Sequence, residues 1–198
     1  VIARPFVGES GGYHRTANRR DLSLEPVSQT LLDALAAAGV GRAGVGKVDD
    51  LFAGRAISSH HTVDNAEGIA RIRAWLHGKE RGFPFANLVE FDQLFGHRND
   101  AAGIYGALRQ LDHGLPSLLA ALREDDLLFI TADHGNDPTT LSSDHARERV
   151  PLLVAGRSVR PVHLGERSTF ADLGATVAEW FGVGFRGRGT SFLAEMLA

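Results

Sequence analysis

The 198-residue chain contains no cysteine and a single methionine. Disulfides, thiolate zinc sites and cysteine nucleophiles are therefore excluded. It has no unbroken apolar run long enough to span a bilayer, so no membrane partner is expected. It lacks a basic excess: the formal net charge is -3, which leaves no electrostatic footprint for nucleic acid. Walker A and GxGxxG patterns are missing, so a nucleotide-cradling loop has no support. The GxSxG elbow of serine hydrolases is missing too. Internal repeats and low-complexity tracts are absent. There is no initiator methionine and no charged-then-apolar leader pattern before Val1-Ile2-Ala3. The opening reads as though cut from a longer chain, in the middle of a strand.

What is present is ordinary in bulk and unusual in detail. Hydrophobic residues at 43% and charged residues at 23% suit a soluble globular protein. Glycine (23 residues) and histidine (9 residues) are plentiful, which favours loops that carry polar chemistry. Residues 1–7 read as a strand with Pro5 at an edge, and 8–27 as a polar loop or linker. Ser28 is placed to cap a helix bearing Leu31, Leu32 and Leu35, which Gly39 stops. A strand is predicted over 42–48, then a polar loop over 53–63. Asp64 is placed to cap a helix whose Ile69, Ile72 and Leu76 share a face. A strand over 85–91 ends at Asp92, and Asp100 begins a long helix that Pro116 should kink. Strands over 127–131 and 150–154 and a helix over 169–181 complete the series. Strands alternating with helices predict an α/β fold: a mostly parallel sheet with helices on both faces.

In open parallel sheets, ligands bind beyond the carboxyl ends of the strands. Three Asp–His clusters fall on such loops: Asp92 with His97, Asp133 with His134, and Asp144 with His145. Asp92, His97, Asp133, His134 and His145 supply a mixed oxygen and nitrogen donor set. That set suits manganese, zinc or iron more than calcium or magnesium. These ligands exceed one tetrahedral shell and fall short of two full shells, so two metals with further ligands from elsewhere fit better. A single Asp–His pair after a strand is commonly just a cap or a surface turn; three on one sheet edge are harder to explain that way. Lys47, beside Gly46 at a predicted strand end, can reach a phosphate as a point charge, or be a solvated edge lysine. Arg15, Arg19 and Arg20 can bind an anion, or form soluble surface. His14, His60, His61, His77, His113 and His163 read as solvated or locally bonded, with His60-His61 a less favoured stray metal pair.

Thr131-Ala132-Asp133-His134-Gly135-Asn136 resembles the signature of the alkaline-phosphatase superfamily of two-metal enzymes. Asn87 to Asp92 followed by Gly96-His97-Arg98-Asn99-Asp100 resembles the phosphopentomutase family within it, as does Asp144 to Pro151. So do Ile2 to Phe6, Arg15 to Arg19, Gly46-Lys47-Val48 and Thr169 to Thr176, so the resemblance extends along nearly the whole chain. It implies an isomerase that moves a phosphoryl group between ribose (or deoxyribose) 1-phosphate and 5-phosphate through a phosphorylated threonine. It implies two Mn²⁺ ions, one held by Asp92, His97 and His145, the other by Asp133 and His134. Lys47, Arg15 and Arg19 would then meet the substrate. By the same resemblance, residues 1–25 are the end of a cap domain and its return linker, and 26–198 the metal-binding core. The nucleophilic threonine is expected upstream of Val1, so this chain alone is expected to be inactive. The expected partner is a small sugar phosphate and the expected location cytoplasmic; the oligomeric state is left open. The alternatives are a metal-dependent phosphatase, a mutase of other specificity, or a non-catalytic metal-binding fragment.

Overall fold

A computed structural model describes residues 2–3, 5–16, 20–78 and 80–197. The first stretch is not the single strand and loop that its composition suggests. It folds back twice: β1 (Ile2–Ala3) pairs antiparallel with β4 (Arg20–Asp21), and β2 (Phe6–Val7) with β3 (His14–Arg15). Phe6 and Tyr13 pack edge-on across the second turn, with ring centroids 5.1 Å apart.

Helix α1 (Leu31–Ala37) is capped by Thr30 rather than Ser28. Thr30 Oγ1 accepts from the Asp33 amide, and Asp33 accepts from the Thr30 amide, a reciprocal capping box. Strand β5 (Gly41–Val45) ends earlier than predicted. The reason is Gly46, whose φ of 83° turns the chain. A Cβ there would lie 2.1 Å from the Asn87 carbonyl. Lys47 is consequently not in the strand but leads into the short helix α2 (Val48–Leu51). The predicted loop after it contains a strand, β6 (Ser59–His60), which pairs parallel with β5. Asp64 caps α3 (Asn65–His77) as predicted, accepting from the Glu67 amide.

Strand β7 (Gly82–Ala86) also pairs parallel with β5, giving a three-stranded parallel sheet in the order β6-β5-β7. Its run of apolar residues leaves the sheet earlier than the predicted span: Phe91–Phe95 form a π turn and Gly96–Arg98 a 3-10 turn. Helix α4 (Ala101–Ala121) begins at the Asp100 cap and continues through Pro116. Strand β8 (Leu128–Thr131) pairs with β9 (Leu152–Ala155) antiparallel rather than parallel. No helix is described between them, so the chain simply returns, whereas a parallel partner needs a crossover. Helices α5 (Ala171–Trp180) and α6 (Leu193–Met196) close the fold, the second of which sequence periodicity is too short to reveal.

Two apolar clusters hold these elements. Leu32, Val48 and Ile57 pack with Phe52, Phe83 and Phe85 beside the parallel sheet. Phe192, Leu193 and Met196 pack with Phe129, Leu152, Val154 and Trp180 against the β8–β9 pair. The buried ones among them, Leu32, Val48, Ile57, Phe192, Leu193 and Met196, contribute roughly 1.5–3 kcal/mol each. Among the described residues, no helix is long and apolar enough to cross a membrane.

Candidate metal centre

Asp92 and His97 are five residues apart, which on an α-helix would set them about 140° from each other. The chain avoids this by widening its turn. Within Phe91–Phe95 the Gly96 amide reaches back to the Phe91 carbonyl, an i to i+5 bond. His97 Nε2 thereby comes 3.4 Å from Asp92 Oδ2. Asn99, at φ 51°, then reverses the chain into the cap of α4.

The second half of the site comes from the loop between β8 and β9. An antiparallel bridge joins Gly135 to Ala146, with the Ala146 amide donating to the Gly135 carbonyl at 2.9 Å. This bridge needs glycine: a Cβ on Gly135 would lie 2.9 Å from both the Ala146 carbonyl oxygen and the Glu148 amide nitrogen. It sets His134 against His145, their rings stacked at 3.6 Å and 15°. His145 Nε2 lies 3.4 Å from Asp92 Oδ1, and its ring also stacks on His97 at 5.0 Å. Two further bonds tie the loop to the 3-10 turn. His97 Nδ1 meets the Ser143 carbonyl at 2.8 Å, and Asn99 Nδ2 donates to the Thr140 carbonyl at 2.9 Å.

A carbonyl can only accept, so His97 Nδ1 carries a proton, and in the neutral ring this leaves the Nε2 lone pair toward Asp92. This is the support a metal-ligating imidazole ordinarily has. Asp92, His97 and His145 each offer a donor atom within 4.8 Å of the others. Asp92 Oδ1 is buried without a hydrogen-bond partner, although His145 Nε2 stands at ion-pair distance. A carboxylate with one buried, unpaired oxygen and an imidazole nitrogen beside each of its two oxygens, with no thiolate near, fits a divalent cation that accepts oxygen and nitrogen donors.

The remaining candidates are distributed differently. Asp133 is largely exposed, with its Oδ1 3.8 Å from His134 Nε2, and stands outside the three-residue group. His134 joins that group through its stacking on His145. Lys47 lies two residues beyond Val45 and so leaves the same edge of the parallel sheet as the segment leading to Asp92. Arg15 is described by its backbone in β3, and Arg19 lies outside the described residues. His60 and His61 are locally bonded, to Glu67 at 3.0 Å and Asp49 at 2.8 Å. Asp49, Asp50 and His61 form a second group of donors, but Asp49 Oδ1 already accepts from His61 and from the Asp50 amide. Sequence reasoning missed Ser143 and Asn99. Ser143 acts through its backbone, so its side chain gives no signal; an asparagine just before a helix cap is a weak signal for the left-handed turn that Asn99 makes.

A family model described as the metalloenzyme superfamily matches residues 32–184. The chain is 52% identical over 199 residues to a phosphopentomutase of Acetivibrio thermocellus, covering 100% of this chain and 51% of that protein. It is 55% identical over 197 residues to one of Anaeromyxobacter dehalogenans, covering 99% of this chain and 50% of that protein. The chain thus spans about half the length of the curated relatives it matches. Among solved structures, Leishmania mexicana phosphoglycerate mutase superposes with a TM-score of 0.61 at 16% identity, covering 78% of this chain and 37% of that one. At that identity the likeness concerns the fold alone.

Proposed function

Because this chain belongs to the metalloenzyme superfamily, we propose that it carries the metal-binding part of a phosphopentomutase, interconverting ribose (or deoxyribose) 1-phosphate and 5-phosphate. The observation that carries this reading is the convergence of Asp92, His97 and His145, with His134 stacked against them, where unrelated loops meet. The relatives at about half identity along the whole chain supply the substrate class.

In this reading Asp92, His97 and His145 hold one Mn²⁺, and Asp133 with His134 hold a second. When bound, such a pair of cations offsets charge on a transferring phosphoryl group, which is most of the catalysis that reaction needs. The protein's own contribution is orientation. The Ser143 carbonyl fixes the His97 tautomer, and the Gly135–Ala146 bridge holds His134 and His145 in register. Lys47 meets the substrate phosphate as a point charge, and Arg15 and Arg19 assist in anion recognition. Residues 1–25 are assigned to the end of a cap domain and its return linker, supported by their own antiparallel pairs; residues 26–198 form the metal-binding core. A cytoplasmic location accompanies the reading, since charged sugar phosphates do not cross a bilayer unaided.

The test is turnover by this chain joined to the threonine-bearing segment of a phosphopentomutase relative. Ribose 1-phosphate, Mn²⁺ and a bisphosphate primer should yield ribose 5-phosphate, a chelator should stop it, and the chain by itself should give no turnover. Release of inorganic phosphate instead would indicate a phosphatase. Conversion of a different sugar phosphate in a substrate panel would assign a mutase of other specificity.

A further inference from the structure

Asp92 sits on a π turn, a rare shape that is frequent at functional sites. The contacts that hold its entry come from α3. The Asn65 backbone amide donates to Glu90 Oε2 at 2.5 Å, and the Glu90 backbone amide donates to Asn65 Oδ1 at 3.3 Å. Glu90 is the residue immediately before the turn, two positions from Asp92. Asn65 is the first residue of α3 and is only 3% exposed. Its amide is one of the unpaired donors at a helix start, so the Glu90 carboxylate also meets the positive end of the helix dipole. One turn along α3, Gly68 packs so closely that a Cβ would lie 2.6 Å from Leu88 Cδ2. The segment leading to Asp92 is thus pressed against α3 by packing and fastened by reciprocal hydrogen bonds.

Asn65 Nδ2, meanwhile, is buried without a partner. A buried unsatisfied amide is destabilising, and an apolar residue of similar size would avoid that cost. Such a residue could not accept from the Glu90 amide. The geometry points to Asn65 and Glu90 as positioning residues: their reciprocal bonds set the attitude of the Asp92 carboxylate toward a cation held with His97 and His145. This rests on the metal reading given above and adds residues to it that touch neither cation nor substrate.

The experiment is Co²⁺ titration of the full chain, read by visible absorption, with thermal melting measured on the metal-free protein. Glu90→Ala and Asn65→Ala should each weaken Co²⁺ binding about 10- to 100-fold and alter the absorption bands, as loss of outer support for a ligand does. Each single change leaves the other side chain-to-backbone bond in place, so the double variant should bind more weakly than either single one. Glu90→Gln keeps an oxygen acceptor for the Asn65 amide and should recover most of the affinity. A folded Glu90→Ala chain with wild-type affinity and bands overturns the proposal, as does a Glu90→Gln chain that binds no better than Glu90→Ala. Asp92→Ala serves as the reference. If it binds Co²⁺ like wild type, the metal reading fails and the clamp falls with it; if it loses binding while Glu90→Ala does not, the clamp alone fails.

Discussion

Replacing His145 with alanine should separate metal binding from stability. The side chain is 49% exposed, and its contacts are with Asp92, His97 and His134. Removing it opens no core cavity, so the metal-free protein should lose no more than about 0.5 kcal/mol. His145 is one of the three grouped donors, with Asp92 and His97, and under the proposed metal reading its loss should exceed the 100-fold upper range typical of outer-shell changes. Ligand linkage makes this measurable. At a free Mn²⁺ concentration 100 times the wild-type Kd, the bound protein gains about 2.7 kcal/mol. A variant bound 100-fold more weakly gains only about 0.4 kcal/mol at the same concentration. At roughly 2–4 °C per kcal/mol for a chain of this size, Mn²⁺ should raise the wild-type melting temperature by about 5–10 °C and the variant by about 1 °C. Scanning calorimetry with and without Mn²⁺ reads both quantities. Equal metal-induced shifts in the two proteins would refute His145 as a ligand, and a strongly destabilised metal-free variant would refute the claim that the site is peripheral to the core.

Gly135→Ala should destabilise by about 1–3 kcal/mol, since the added methyl meets backbone at 2.9 Å on the partner segment and must push it away. Because that segment carries His145, Mn²⁺ affinity measured by titration should fall too; a variant that melts and binds like wild type would remove the bridge from the account. Acid should weaken the fold in a defined window. The Arg55 guanidinium on Asp33 outweighs burial and holds that carboxyl well below its usual range. The Val63 amide and His60 hold Glu67 down to about 2 from 4.5. Both groups bind fewer protons folded than unfolded, so the stability they contribute is complete above pH 4.5 and declines as pH falls toward 2. Chemical denaturation between pH 6 and 2 checks this, and Asp33→Asn should flatten the decline.

The elements legible in the sequence are those whose signal is local. Asp64 and Asp100 each precede an apolar repeat of helical period, and both are caps in the structure. Gly39 ends α1 at φ 72° as its position after the last apolar residue suggests. The errors lie where a distant backbone decides. Gly46 ends β5 because the Asn87 carbonyl stands where a side chain would be, and nothing near residue 46 encodes that. The apolar run 85–91 has the composition of a strand throughout, yet its second half leaves the sheet to make the wide turn that Asp92 needs. The candidate site shows the same division. Residue types and sheet-edge placement singled out Asp92, His97 and His145, whereas Ser143, Asn99 and the Asn65–Glu90 pair act through bonds that span 25 to 46 residues.

Where the chain leaves buried polar atoms unpaired is itself informative. Such atoms are nearly always satisfied in folded proteins. Among the described residues the unpaired ones are Asn65 Nδ2, Asp92 Oδ1, Asn99 Oδ1, Asn136 Nδ2 and Ser158 Oγ. All but Ser158 belong to the Asp92 turn or touch it: Asn65 bonds Glu90, Asn99 closes the 3-10 turn, and Asn136 Nδ2 stands 3.0 Å from the Cβ position of Gly96. Elsewhere the same chain satisfies polar groups thoroughly. Asp33 accepts from Thr30 and from two nitrogens of Arg55, which also donates to the Pro26 and Ser28 carbonyls. Local rules obeyed at a structural network and broken around one turn are the pattern expected when geometry there is set by a ligand and not by stability. The unpaired Asp92 oxygen points to a cation, and the amide and carbonyl groups around it are the cost of holding that oxygen in place.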